Sequence, residues 1–131
     1  MSSSNALDQP AKDLRSWACL AAGWPAFHAI CGLLFLAEGS SVETKGVVVP
    51  TLLLTGLWSV SAVGAWRFLR SYSRVAGCTA VVGQVCAGAL LVVVAIIARS
   101  SELWAYVDGG LHVVAGGGLA LALKQTWSRL L

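Results

Sequence analysis

Four apolar segments, each about 20 residues long, constrain what this chain can fold into more than any other feature of its sequence. A helix of that length crosses the hydrocarbon core of a bilayer and satisfies its own backbone hydrogen bonds there. We therefore predict an all-α integral membrane bundle of four transmembrane helices. The predicted helices cover residues 16–37, 47–66, 75–98 and 103–123.

The composition agrees with a membrane protein. Of the 131 residues, 57% are hydrophobic and 11% are charged, whereas a soluble domain carries about a quarter charged residues. The net charge of +3 comes from basic residues that are scattered singly and in short groups. Nucleic-acid binding needs a clustered basic face instead. We therefore expect the lipid bilayer to be a partner of this chain and expect no nucleic acid.

Both ends of the chain are polar and predict its orientation. Residues 1–15 form a polar N-terminal tail, which we expect to be disordered or to lie on the surface, and residues 124–131 form a short basic tail. Most basic residues fall on one side of the predicted topology: Lys12, Arg15, Arg67, Arg70, Arg74, Lys124 and Arg129. Only Lys45 and Arg99 fall on the other side. Because short cytoplasmic segments are enriched in Lys and Arg, we predict that both termini are cytoplasmic, in a plasma or inner membrane.

Two histidines, the only ones in the chain, lie deep inside the first and fourth apolar segments. His28 and His112 are equally far from the outer ends of their predicted helices, about 13 Å deep at the standard helical rise. Asp108 precedes His112 by one turn on the same helix face. Ionisable groups at such depth are costly and are functional candidates by default. We expect small-residue faces to pack the first helix against the fourth, which would bring His28 near His112.

Three functional interpretations of these residues remain open. In the first, both histidines ligate one haem b iron, and Gly32 and Gly116 leave room beside the rings for the flat macrocycle. In the second, His28, Asp108 and His112 form a polar relay for protons or for a small substrate. In the third, the same three side chains bind zinc or iron, since two imidazoles and a carboxylate suit either metal.

A structural interpretation competes with these three. Each imidazole would then donate one interhelical hydrogen bond, to Gln84, to Thr55 or to a backbone carbonyl. Because a chain this small has little internal core, we also expect it to assemble with itself or with a larger membrane complex. The first prediction for function is therefore an accessory or structural subunit of a membrane complex. The alternative is a redox protein, an isomerase-type enzyme or a small carrier that uses the histidine and aspartate site.

Two short patterns carry a resemblance to a known group of proteins. His28 and Gly32 form one H-x-x-x-G pattern, and His112 and Gly116 form the other. Together with the helix count, they resemble the small four-helix bacterial membrane proteins that are called DoxX-like. The resemblance implies an accessory membrane role and no defined active site.

Overall fold

The computed structural model describes residues 4–38, 45–99 and 103–130, and within these the side chains of 11–38, 48–99 and 103–130. The described chain is helical apart from short connections. Four α-helices are followed by one short 3-10 helix. Their bounds are α1 Ser4–Glu38, α2 Lys45–Ser71, α3 Arg74–Ile97, α4 Leu103–Thr126 and the 3-10 helix Trp127–Arg129.

Each of the four α-helices is long and apolar enough to cross a membrane. This confirms the all-α class and the four apolar helices that the sequence predicts. The helices differ in polarity: α3 has the most apolar span, and α4, which carries Asp108 and His112, has the least apolar one.

The ends of two helices differ from the sequence prediction. The polar N-terminal segment is helical from Ser4, so the expectation of disorder is wrong, whereas the exposure of Lys12, Asp13 and Arg15 agrees with the alternative of a segment on the surface. Its residues 11–15 include good helix formers, and Leu14 is buried in the core. The second difference is at the end of α2, which continues beyond residue 66 to Ser71 and leaves only Tyr72 and Ser73 as the connection to α3. The predicted loops after α1 and α3 fall largely on residues 39–44 and 100–102, outside the described residues.

The four helices form a ring in chain order. The α1–α2 and α3–α4 interfaces are the largest, α2 packs on α3, and a smaller α1–α4 interface closes the ring. Glycines allow the closest approaches between α2 and α3. A Cβ atom on Gly83 would lie 2.9 Å from the Ser61 nitrogen, and one on Gly64 would lie 2.9 Å from the Ala80 nitrogen. Backbone contacts this short admit no side chain, so these helices meet through glycine.

Two apolar clusters fill the interior of the ring. The larger one lies towards the two chain termini, where Leu14, Phe68 and Leu123 pack among alanines. The smaller one contains Trp58 and Leu54 and lies towards the opposite end. The buried residues of this smaller cluster come from α1, α2 and α3.

Candidate functional site

The neighbouring helices α1 and α4 bring His28, Asp108 and His112 together. Nε2 of His28 lies 2.9 Å from Oδ2 of Asp108, and the two imidazole ring centroids are 5.1 Å apart. This proximity is what the matching depths of the two histidines predict. We call these three residues the histidine–aspartate centre.

The partner of Asp108 differs from the one that its spacing suggests. One helical turn separates Asp108 from His112, and the sequence therefore favours a hydrogen bond between them. Their closest approach, from Nε2 to Oδ2, is 4.0 Å, which is too long for a hydrogen bond. His28 reaches the same oxygen from the neighbouring helix at hydrogen-bonding distance. The carboxylate therefore links two helices instead of bracing one.

The backbone of α1 fixes the tautomer of His28. Nδ1 of His28 lies 3.0 Å from the carbonyl oxygen of Trp24. A carbonyl oxygen only accepts hydrogen bonds, so Nδ1 carries a proton. Nε2 then faces a carboxylate oxygen at 2.9 Å, and two acceptors cannot approach that closely without a proton between them. His28 and Asp108 therefore share one proton more than a neutral imidazole and a carboxylate would hold.

Trp24 also binds the second oxygen of the carboxylate. Its Nε1 donates a hydrogen bond of 3.1 Å to Oδ1 of Asp108. Both carboxylate oxygens therefore have partners on α1. The side chain of Asp108 is 19% exposed and that of His28 is 17% exposed, so molecules outside the bundle can reach the pair.

Trp58 from α2 completes the surroundings of the two imidazoles. Its ring centroid lies 4.8 Å from that of His28 and 5.8 Å from that of His112, on which it stacks at 29°. Its Nε1 is buried and has no hydrogen-bond partner among the described residues. The same holds for both ring nitrogens of His112, which is fully buried. Since unpaired buried groups cost about 1–3 kcal/mol each, such a concentration is typical of a site that is constrained by function.

Thr55 and Gln84 lie beside the centre without bonding to either histidine. Thr55 contacts Gly32, and its hydroxyl has no hydrogen-bond partner in the described part of the chain. Oε1 of Gln84 accepts a hydrogen bond of 2.9 Å from Ser61, while its Nε2 is unpaired. Gln84 thus connects α2 to α3, and neither Gln84 nor Thr55 forms the hydrogen bond to a histidine that the structural interpretation gives it.

The geometry does not fit a haem between the two histidines. A Cβ atom on Gly32 would collide with the Thr55 hydroxyl, and one on Gly116 would lie 2.7 Å from Val85. The space beside each ring is therefore filled by α2 and α3 instead of being open to a macrocycle. Asp108 also occupies the position against His28 Nε2 that an iron would need.

The distances among His28, Asp108 and His112 bear on the metal interpretation. Ligand atoms of His28, Asp108 and His112 all lie within 4.8 Å of one another, which one bound cation can bridge. The individual distances are uneven, however, at 2.9 Å for one histidine and 4.0 Å for the other. The shorter distance is that of a hydrogen bond with its proton in place. The arrangement is therefore best described as a proton-sharing pair beside a third nitrogen.

A cleft of about 290 Å³ opens beside Asp108. Three indole rings line it, those of Trp24, Trp58 and Trp104, and we call it the tryptophan cleft. From the sequence, Trp104 is explained as a membrane-interface residue, whereas Trp24 and Trp58 have only packing or ligand contact as reasons. The three come from α1, α2 and α4, so no local pattern could have grouped them. Larger grooves along α2 and α3 have no histidine or carboxylate among their described lining residues.

None of the family models, curated proteins or solved structures that were compared with this chain matches it. The resemblance to DoxX-like proteins therefore stays a prediction. The functional assignment depends on the geometry of the histidine–aspartate centre and of the tryptophan cleft.

Proposed function

We propose that this chain is an integral membrane protein whose four helices cross the bilayer with both termini in the cytoplasm. The length and apolarity of the helices support membrane insertion. So do large apolar side chains that cover the bundle surface, among them Leu33, Val75 and Ile97. The excess of basic residues on the side of the termini supports the orientation.

Within that membrane protein, we propose that the histidine–aspartate centre binds a proton and exchanges it with the outer side of the membrane, as part of a small carrier. One observation carries this proposal: His28 donates through Nδ1 and still lies 2.9 Å from Asp108 through Nε2. A proton held between two groups that are accessible from outside can be exchanged as a ligand arrives or leaves. His112 Nε2, 4.0 Å from the same carboxylate oxygen, is the nearest further acceptor, on the buried side of Asp108.

Few other groups in the described chain influence this proton. The titratable side chains that face one another here are His28 on α1 and Asp108 and His112 on α4. The other two helices approach the imidazoles with uncharged residues, Trp58 from α2 and Gly88 from α3. Proton binding is therefore expected to depend on these three side chains.

The presence of only two histidines makes this proposal directly testable. We expect histidine nitrogen NMR spectra of the full chain in lipid nanodiscs, recorded as a function of pH, to show one doubly protonated imidazole that Asp108→Asn converts to the neutral form. The amide of Asn can donate to Nε2, so the extra proton is no longer needed. If the shared proton resides on Asp108 and not on His28, infrared difference spectra of the same two samples detect it as a protonated carboxyl group.

The matched control for this experiment is Glu38→Gln, which removes an exposed carboxylate at the end of α1. It should leave both histidine signals unchanged. Neutral imidazoles in the unmodified protein, without a protonated Asp108 in the infrared spectrum, would contradict the proposal.

A second proposal follows the subunit interpretation of the sequence. Gly110 and Gly117 lie seven residues apart on one face of α4, and a Cβ atom on either would meet nothing within 4 Å. Small residues on an open face let another transmembrane helix approach closely. We propose that this face contacts a second copy of the chain. In a cysteine-free background, Gly117→Cys should form a disulfide-linked dimer in membranes, whereas Val82→Cys on the exposed face of α3 should not.

A further inference from the structure

We infer that the tryptophan cleft binds a small organic cation, a quaternary or tertiary ammonium compound, whose charge replaces the proton held by His28 and Asp108. This inference rests on the proposed proton-binding function and names its ligand class. It starts from the composition of the cleft, in which three of the chain's six tryptophans surround one carboxylate.

The walls of the cleft favour a positive charge. The face of an indole ring carries negative potential and attracts a cation that lies within about 6 Å of its centre. Trp58 is buried in the bundle, whereas Trp104, at the start of α4, is 74% exposed. The ring of Trp104 is therefore accessible to a ligand that enters the cleft.

Asp108 gives the cleft its charge selectivity. Its carboxylate lines the cleft, and among the described residues it is the only acidic side chain that does so. The described lining includes no Lys or Arg. A cation is therefore stabilised there by both the carboxylate and the rings, whereas an anion would meet negative charge on every side.

The dimensions of the cleft limit the size of the ligand. Its volume of about 290 Å³ is at the lower end of the range for small-molecule sites. An ammonium group with a few carbon atoms fits this volume. The buried Nε1 of Trp58, which lacks an acceptor in the described chain, favours a ligand that carries an oxygen atom near its ammonium group.

Charge balance couples binding of the cation to release of the shared proton. With the proton in place, His28 and Asp108 form a neutral pair, and an added cation would leave one uncompensated positive charge at depth in the membrane. When the cation binds, the proton on Nε2 of His28 leaves to solvent, and the ammonium group pairs with the carboxylate. One positive charge enters and one leaves, while Nδ1 keeps its proton on the Trp24 carbonyl.

Choline and its uncharged isostere 3,3-dimethylbutan-1-ol provide the test, since the two have the same shape and differ in charge. With the full chain in lipid nanodiscs, we expect choline to change the intrinsic tryptophan fluorescence and to release about one proton per bound ligand into weak buffer. The isostere should bind several-fold more weakly and release no proton. Asp108→Asn should abolish choline binding.

Trp104→Leu tests the aromatic wall without disturbing the core, because this side chain is mostly exposed. We expect it to weaken choline binding roughly two- to thirtyfold, the range that one cation–π contact provides. The matched control is Trp66→Leu, which removes an exposed tryptophan outside the cleft and should leave the affinity unchanged.

The outcomes separate this inference from the function on which it rests. Equal binding of choline and its isostere, or choline binding without proton release, would overturn the inference. So would a complete lack of choline binding while the doubly protonated imidazole is still observed, and in that case the proton-binding proposal would stand. Absence of the shared proton itself would remove both.

Discussion

At the scale of single residues, the histidine–aspartate centre depends on hydrogen bonds that α1 supplies. The Trp24 carbonyl fixes the proton on Nδ1 of His28, and the Trp24 indole holds Oδ1 of Asp108. Trp24 therefore positions both members of the proton-sharing pair, although it titrates over no accessible pH range. Its role follows from its place one helical turn before His28.

Substitution of Trp24 by Phe keeps an aromatic ring and removes the indole N–H. We expect the free energy of unfolding to fall by about 1 kcal/mol, because a hydrogen bond to a carboxylate is lost at a position that is 43% exposed. Equilibrium unfolding in mixed micelles measures this difference. Trp66→Phe removes an indole N–H far from Asp108 and should change the stability by less than half as much. Equal losses in the two variants would contradict the role that we assign to Trp24.

At the scale of helices, glycines decide where α3 and α4 touch. Gly109 of α4 faces Gly88 of α3, and a Cβ atom on Gly109 would lie 2.9 Å from the Gly88 carbonyl oxygen and 2.7 Å from Val92. Gly88 in turn lies against the Cβ atom of His112. This close approach sets the position of the buried imidazole relative to Asp108.

Gly109 and Gly110 are adjacent in sequence and differ in surroundings, so they make a matched pair of alanine substitutions. We expect Gly109→Ala to destabilise the bundle by roughly 1–3 kcal/mol, because the added methyl group overpacks the α3–α4 interface. Within a single chain, a methyl group on Gly110 meets nothing within 4 Å, so in detergent that keeps the protein monomeric Gly110→Ala should be neutral or should stabilise α4 by up to about 1 kcal/mol. Thermal unfolding in detergent compares them. A loss of stability in Gly110→Ala as large as in Gly109→Ala would argue against this interface.

Helix ends were harder to predict than helix existence. Apolar content marks the part of a helix that fits in a membrane, whereas backbone hydrogen bonding continues into polar residues of good helix propensity. α2 is an example, because it continues beyond residue 66 through the basic residues Arg67 and Arg70 and the fully buried Phe68. Basic side chains in the last turn also interact favourably with the helix dipole.

At the scale of the whole molecule, the ring of four helices puts the start of α1 and the end of α4 at one end of the bundle. The connection between α2 and α3, at Tyr72 and Ser73, lies at that same end, and the ends of α1 and α3 lie at the other. The proposed orientation makes the first end cytoplasmic and opens the tryptophan cleft towards the outside.

Labelling of single cysteines with a membrane-impermeant maleimide tests this orientation. In a chain whose four cysteines have been replaced, Ser71→Cys and Ser128→Cys should react only when the cytoplasmic side is accessible. Glu38→Cys should react from the outside of intact cells. Both serines and Glu38 are exposed at helix ends, so they differ mainly in the side of the membrane that they face. Labelling of Ser71→Cys from outside would reverse the orientation.

The sequence by itself determined the number and type of the helices and the similar depths of His28 and His112, because hydropathy and helical rise are local properties. Only the tertiary structure decided that Asp108 pairs with His28, that Gly32 and Gly116 pack against α2 and α3, and that three tryptophans share a cleft. These contacts depend on the rotation of each helix about its own axis. Packing of small residues across several interfaces at once sets that rotation, and no single helix sequence contains it.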